Sequence, residues 1–170
     1  GNPQAAISDL REFLASEPPA ARKESALYDL GLAQIDAQQW SNVTETFQGL
    51  VNEFDTSKQM VRYLYELAWG LRSSDKETRA MENFRTLASK FPTSPLAPES
   101  NFHIGSDLYN QKKYGDAITA YQLCLQSKIE NEILEKAAYK LAWSHYKQDQ
   151  FKEKSISSKI NLICFYNFFQ

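Results

Sequence analysis

Tyr28, Tyr65, Phe102 and Tyr139 stand 37 residues apart without a break. Three residues after each comes a very small one, at Gly31, Ala68, Gly105 and Ala142, and just before that sits Leu30, Leu67, Ile104 or Leu141. A fixed period over four copies admits few architectures. Each copy is one supersecondary unit that buries its apolar face against its neighbours, so the chain has to be a repeat array. The functional question then becomes which surface of the array holds something, rather than where an active site lies.

A second register runs beside the first. Phe47, Phe84 and Tyr121 are again 37 apart, followed three residues later by Leu50, Leu87 and Cys124 and preceded four residues earlier by Val43, Ala80 and Ala117. Apolar residues recur every three or four positions and strict alternation is missing, which predicts helices and no strands. The first helix of each copy is expected over 20–37, 57–73, 95–111 and 131–148, and the second over 41–54, 76–91, 114–128 and 151–163. The small residues are expected to let the two helices of a pair approach, and the large rings to fill the space between pairs. Phe91-Pro92-Thr93-Ser94-Pro95 stops one helix and starts the next, with Ser94 as a cap. Pro18 lies 74 residues before Pro92, twice the period, so Ala6, Leu10, Phe13 and Leu14 take the places of Val43, Phe47, Leu50 and Val51. The segment therefore opens with a lone second helix at 3–16. A repeat array cut there exposes an apolar face, which leads us to expect further repeats before it in a longer chain.

The third copy carries the fullest pattern: Asn101-Phe102-His103-Ile104-Gly105, then Leu108, then Tyr114-Gly115-Asp116-Ala117-Ile118, then Tyr121. This resembles the tetratricopeptide repeat, a helix–turn–helix unit of about 34 residues. The family's Leu-Gly pair matches Leu30-Gly31 and Ile104-Gly105, with Leu67-Ala68 and Leu141-Ala142 as variants. Its turn aromatic matches Trp40, Tyr114 and Phe151, where the second copy has Glu77; its proline matches Pro18 and Pro92 but not Asp55 or Ile129. The resemblance covers residues 3–154. It implies an all-α, right-handed α-solenoid over 1–154, with the half-repeat at 3–16 and repeats starting near 20, 57, 95 and 131, then an atypical tail at 155–170. The longer repeat and the Phe91–Ala97 stretch look like a bacterial subgroup that includes cell-envelope proteins of the Tol–Pal system and outer-membrane assembly lipoproteins. The setting this implies is the periplasm.

Composition narrows the function classes. The chain is 42% apolar and 24% charged with a net charge of −2, ordinary for a soluble globular chain. No clustered Lys/Arg block marks a nucleic-acid face, so no nucleic-acid partner is expected. No run reaches the length of a membrane span; Ile160 to Phe169 is too short. Cys124 and Cys164 match no metal or redox spacing, and Cys124 reads as a small buried apolar residue. There is no HExxH, phosphate loop, GxSxG or EF-hand pattern. His103 falls on an outer position and His145 on a packing face. Glu130, Glu132 and Glu135 open a helix, where carboxylates suit the positive end of its dipole. Lys112 and Lys113, with Lys147 and Lys152, read as a solvated turn edge. No catalytic residue, metal or cofactor is expected.

The informative stripe lies on the first helices. Residues four and seven positions beyond each repeating aromatic share its face. They give Tyr28, Leu32, Ile35; Tyr65, Trp69, Arg72; Phe102, Ser106, Tyr109; and Tyr139, Trp143, Tyr146. In the resembled family these positions line the groove that grips partner peptides, and here they are unusually aromatic, a residue type favoured for interface anchors. Two readings stand side by side: a groove for an extended or helical segment of another protein, or rings that fill the inner wall. The family's carboxylate-clamp members use Lys and Asn along this stripe; only Arg72 is basic here, so a C-terminal carboxylate is not the expected ligand. The expected function is a non-catalytic protein–protein interaction scaffold. The alternatives are a periplasmic adaptor of outer-membrane assembly or division machinery, and a spacer segment of a larger enzyme or sensor.

The tail breaks the register. Lys154, Ser158 and Asn161 stand where the second helix should place its small residue, its ring and its aliphatic residue. Ile156, Ile160 and Ile163 form a rotated stripe instead, and Phe165, Tyr166, Phe168 and Phe169 follow. The tail reads as an irregular capping helix, a dimerisation or membrane-surface patch, or sequence unrelated to the ancestral repeat.

Overall fold

The computed structural model describes residues 1–127 and 132–168, the side chains of 151 and 153–168 excepted. Among the described residues every regular element is an α-helix: α1 Pro3–Ala15, α2 Ala20–Asp36, α3 Trp40–Glu53, α4 Met60–Ser73, α5 Glu77–Lys90, α6 Ala97–Asn110, α7 Tyr114–Leu125 and α8 Glu132–Phe168. The chain divides into two compact units, 1–100 and 101–170. In the first, α1 packs on α2, α2 on α3, α3 on α4 and α4 on α5; in the second, α7 packs on α8.

Local chemistry sets the helix ends. Asn2 accepts the Gln4 and Ala5 N–H groups on its side-chain oxygen, with Pro3 in the first turn. The turn inside each pair is a periodic corner that residue identity conceals. Gln38, Asp75 and Lys112, 37 apart, are left-handed, at φ 55°, 57° and 62°. The N–H of the next residue then closes on the carbonyl of Gln34, Leu71 or Leu108. That is a Schellman closure, usually built on glycine. A side chain there costs ~1–2 kcal/mol, which the docking of the second helix has to offset. The turn between pairs repeats as well. Ser57 accepts the Gln59 N–H, and Ser94, 37 residues on, accepts that of Leu96. Ser94 was expected to cap the helix; because α6 begins at Ala97 rather than Pro95, it holds the turn before the helix instead.

The packing reverses the roles expected of rings and small residues. A Cβ on Gly31 would lie 2.6 Å from the Phe47 ring, and one on Gly105 would lie 2.7 Å from Tyr121. Phe84 makes edge contacts with Tyr65 and Trp69. The rings therefore sit within their own pair, against the small residue of its first helix. Val43 instead meets the next pair, at Gly70. The physical reason is size: the seam inside a pair is where Gly or Ala opens a hole large enough for a ring.

Polar ties join the helices as well. Thr46 donates to the fully buried Gln34 at 2.8 Å. Tyr63, also fully buried, donates to Glu24 at 2.6 Å and carries a hydroxyl pushed up to about 12 by burial and by that carboxylate. In the second unit Tyr121 donates to Ser106, and Ala117, Tyr121, Cys124 and Ala137 form one buried cluster.

The fourth pair does not close. A second helix was expected over 151–163 after a turn, but α8 runs unbroken from Glu132 to Phe168. Asp149 is the residue in register with Gln38, Asp75 and Lys112, and it stays helical. Lys154, Ser158 and Asn161 supply no apolar stripe in the expected register to repay a left-handed corner, so propagation of the helix wins. The readings of the side chains beyond 153, and of Glu130, lie outside the described residues.

The histidines are also corrected. His103 is buried at 8% exposure, with its ring 5.5 Å from that of Phe102, rather than on the outside. His145 is exposed rather than on a packing face. Its counterparts Gln34 and Leu71 are buried because a second helix covers them, and among the described residues none covers α8.

Candidate functional site

The first-helix stripe divides into two kinds of surface. In the first unit the rings are half-buried packing. Tyr28 lies 5.9 Å from Phe47, edge-on, and 5.9 Å from Tyr63. Tyr65 and Trp69 flank Phe84, each with its centroid 6.2 Å away. Arg72 stacks over Trp69 at 5.5 Å and reaches Glu77 at 3.6 Å. Leu32 is exposed and Ile35 half-buried at the edge of this wall. Burial raises the Tyr65 hydroxyl above its ordinary range, with Glu99 adding to the effect.

Beside Tyr65, burial also holds the Glu66 carboxyl above its ordinary value; Arg62 draws it down and Glu99 pushes it up. A carboxyl raised on folding binds more protons in the native than in the unfolded state. Its stabilising contribution is complete below the unfolded pKa and is lost as pH rises through the folded one. Glu66→Gln is therefore expected to raise the melting temperature near neutral pH and to leave it unchanged at about pH 3, where both states carry the proton. Thermal melts of the two chains across that range check it.

In the second unit part of the stripe is open. Phe102 and Ser106 remain inside the pair, against Tyr121. Tyr109 stacks edge-on to Tyr114 at 5.4 Å. Tyr139, Trp143 and Tyr146 form a ladder along α8 with centroid steps of 6.3 and 5.6 Å. They are 63%, 40% and 52% exposed. On one side of this ladder Tyr109, Tyr139, Lys140 and Trp143 line a hollow of about 240 Å³. On the other, Tyr139, Ala142, Trp143 and Tyr146 line one of about 280 Å³. Lys140 sits 5.3 Å over the Tyr109 ring, a cation–π contact that places a positive charge at the rim of the first hollow. Sequence reasoning missed Lys140. Nothing in its own register singles it out, because its counterparts are Asp29, Glu66 and His103, with no lysine or arginine among them.

A third hollow, about 340 Å³, lies along α1, α2 and α3 and is spanned by the Lys23–Glu53 ion pair at 2.6 Å. Exposed pairs of this kind contribute little, and the lining gives no convergent set of groups for chemistry. Among the described residues no group of three His, Cys, Asp or Glu side chains is placed to hold a metal ion, and no helix is long and apolar enough to cross a membrane.

No family model matches the chain, and no curated protein matches it. Solved structures do. The chain is similar to the nearly identical tetratricopeptide-like repeats of a protein described as a kinesin light chain from Podosopora anserina, with 13% identity over 95% of this chain and 86% of that one and a TM-score of 0.65. It is also similar to MamA from MSR-1, with 16% identity over 88% of this chain and 86% of that one and a TM-score of 0.59. At such identities the likeness shows the fold: an all-α array of tetratricopeptide-like helix pairs.

Proposed function

We propose that the chain is a non-catalytic protein-interaction scaffold, and that its ligand wall is the aromatic surface shared by α6 and α8. The supporting observation is the contrast between the units: the same stripe is closed by second-helix rings at Tyr28, Tyr65 and Trp69 but open at Tyr139, Trp143 and Tyr146. The hollow between Tyr109, Tyr139 and Trp143 suits one large apolar side chain, and Lys140 at its rim suits a carboxylate beside it. The ligand this chemistry selects is a polypeptide segment with an apolar anchor next to Asp or Glu. A bacterial cell envelope, the setting implied by the resemblance, is where we propose the natural partner be sought.

Selection from a random peptide library against the immobilised chain tests this. Enriched peptides are expected to share an apolar residue adjacent to an acidic one, and to bind Tyr109→Ala or Lys140→Glu chains at least about tenfold more weakly, the equivalent of ~1.4 kcal/mol. No enrichment, or binding indifferent to both substitutions, would remove α6 and α8 as the ligand wall.

A further inference from the structure

The hollow of about 340 Å³ on the first unit holds no reactive set, but its floor is unlike that of the other pairs. All of its lining except Arg11 belongs to α2 and α3, a complete pair with both helices in place. Leu27 and Leu30 make the floor apolar, and Gln34 stands beside them. The same register place holds Leu71 in α4 and Leu108 in α6. Only 2% of Gln34 is exposed, and its oxygen Oε1 accepts the Thr46 hydroxyl. Among the described residues its amide nitrogen has no hydrogen-bond partner. A buried amide is costly to leave half-satisfied, where leucine would complete the floor with no polar group to satisfy.

Gly49 is a second peculiarity, independent of the first. It sits in the interior of α3, where glycine is less favourable than any residue but proline. Its φ is not positive, and a Cβ built on it would meet nothing within 4 Å. Gly31, Gly70 and Gly105 each face a side chain 2.6–2.7 Å from that position. Neither a turn nor a close contact within the chain therefore requires glycine at 49, and Thr86 and Leu123 stand at its place in α5 and α7. What Gly49 does is keep the hollow open and let another backbone come close to α3.

We infer that this hollow takes a tyrosine side chain presented by a partner polypeptide. The ring lies on Leu27 and Leu30, the phenol oxygen accepts a hydrogen bond from the Gln34 amide, and the partner's backbone passes over Gly49. Tyrosine joins a flat apolar body to a polar tip, the combination this floor matches. Phenylalanine would leave the Gln34 donor unpaired, and a charged tip would bury its charge. Around the mouth, Arg11, Glu45 and the Lys23–Glu53 pair form a rim of both signs. Such a polar border surrounds the anchor pockets of protein interfaces. The site uses none of the residues of the α6 and α8 surface, so it does not depend on the peptide-binding proposal.

Titration of the whole chain, followed by NMR at the Gly49 backbone amide and the Gln34 side-chain amide, tests it. The probes are acetyl-Gly-Tyr-Gly-amide, its counterpart acetyl-Gly-Phe-Gly-amide, and p-cresol. The tyrosine peptide is expected to shift both signals saturably, with a Kd of about 1–10 mM for so small a ligand. The phenylalanine peptide should bind about tenfold more weakly or worse, because it leaves the buried donor unpaired. p-Cresol, which has no backbone to lay over Gly49, should also bind more weakly. Gly49→Leu, which copies Leu123, should keep its helical ellipticity and lose both peptides. Gln34→Leu, which copies Leu71, should bring the two peptides level; if it loses ellipticity, Gly49→Leu and the phenylalanine comparison decide. The absence of a saturable shift, equal affinity of the wild-type chain for the two peptides, or undiminished binding by Gly49→Leu would each overturn the inference. p-Cresol binding as tightly as the tyrosine peptide would overturn the polypeptide partner and leave a site for free phenols.

Discussion

Phe84→Ala is expected to cost about 3–5 kcal/mol, read as a fall in the urea midpoint at unchanged slope. Phe84 is fully buried and fills the seam between α4 and α5, edge-on to both Tyr65 and Trp69. Truncation removes its transfer energy and leaves a cavity that two rigid helices cannot collapse. Each edge-to-face contact adds about 0.5–1.5 kcal/mol beyond area. Against a total stability of about 5–15 kcal/mol, this one ring decides whether the first unit persists. Leu123→Ala is the control: Leu123 is 46% exposed, and its loss should stay within ~0.5 kcal/mol. Equal midpoints for the two variants would show that the intra-pair ring is not the core.

Trp69→Ala and Trp143→Ala should separate stability from recognition. The residues are two periods apart, 74 positions, in the same register. Trp69 is half-buried against Phe84 with Arg72 over its ring. Its loss should cost about 2–3 kcal/mol, less than for a fully buried ring, with little direct effect on a ligand held by the second unit. Trp143, 40% exposed, lines both hollows of α8. Its loss should leave the melt within ~0.5 kcal/mol and weaken the selected peptides at least tenfold. Melting curves and peptide titrations on the same two samples decide it; the reverse pattern would assign the open ladder to structure.

The period made the helices legible because identity recurs wherever packing recurs: Tyr28 to Tyr139 mark the first helices and Phe47 to Tyr121 the second. It could not say which neighbour a ring faces. A second helix lies between two first helices and is apolar toward both, so the direction of Phe47 is settled by the hole at Gly31. The left-handed corners were hidden for another reason. Gln38, Asp75 and Lys112 share a conformation but no side-chain chemistry, because the Schellman closure uses backbone groups. Nor could spacing distinguish a groove from packing along Tyr28, Tyr65 and Tyr139. Their exposure depends on whether a second helix follows, and in α8 the register of Lys154 and Ser158 removes it. His145 was misplaced by the same missing neighbour.

The packings that hold the first unit join α1 to α2, α2 to α3, α3 to α4 and α4 to α5, always neighbours along the chain. No contact of this kind has to close a loop much longer than one repeat, so the entropic toll of assembly is small and nearly equal at every step. Such a chain gathers quickly, from any starting pair, and comes apart the same way, one seam after another. Under tension it yields in instalments rather than in a single rupture, and the hairpins nearest the point of pull let go first.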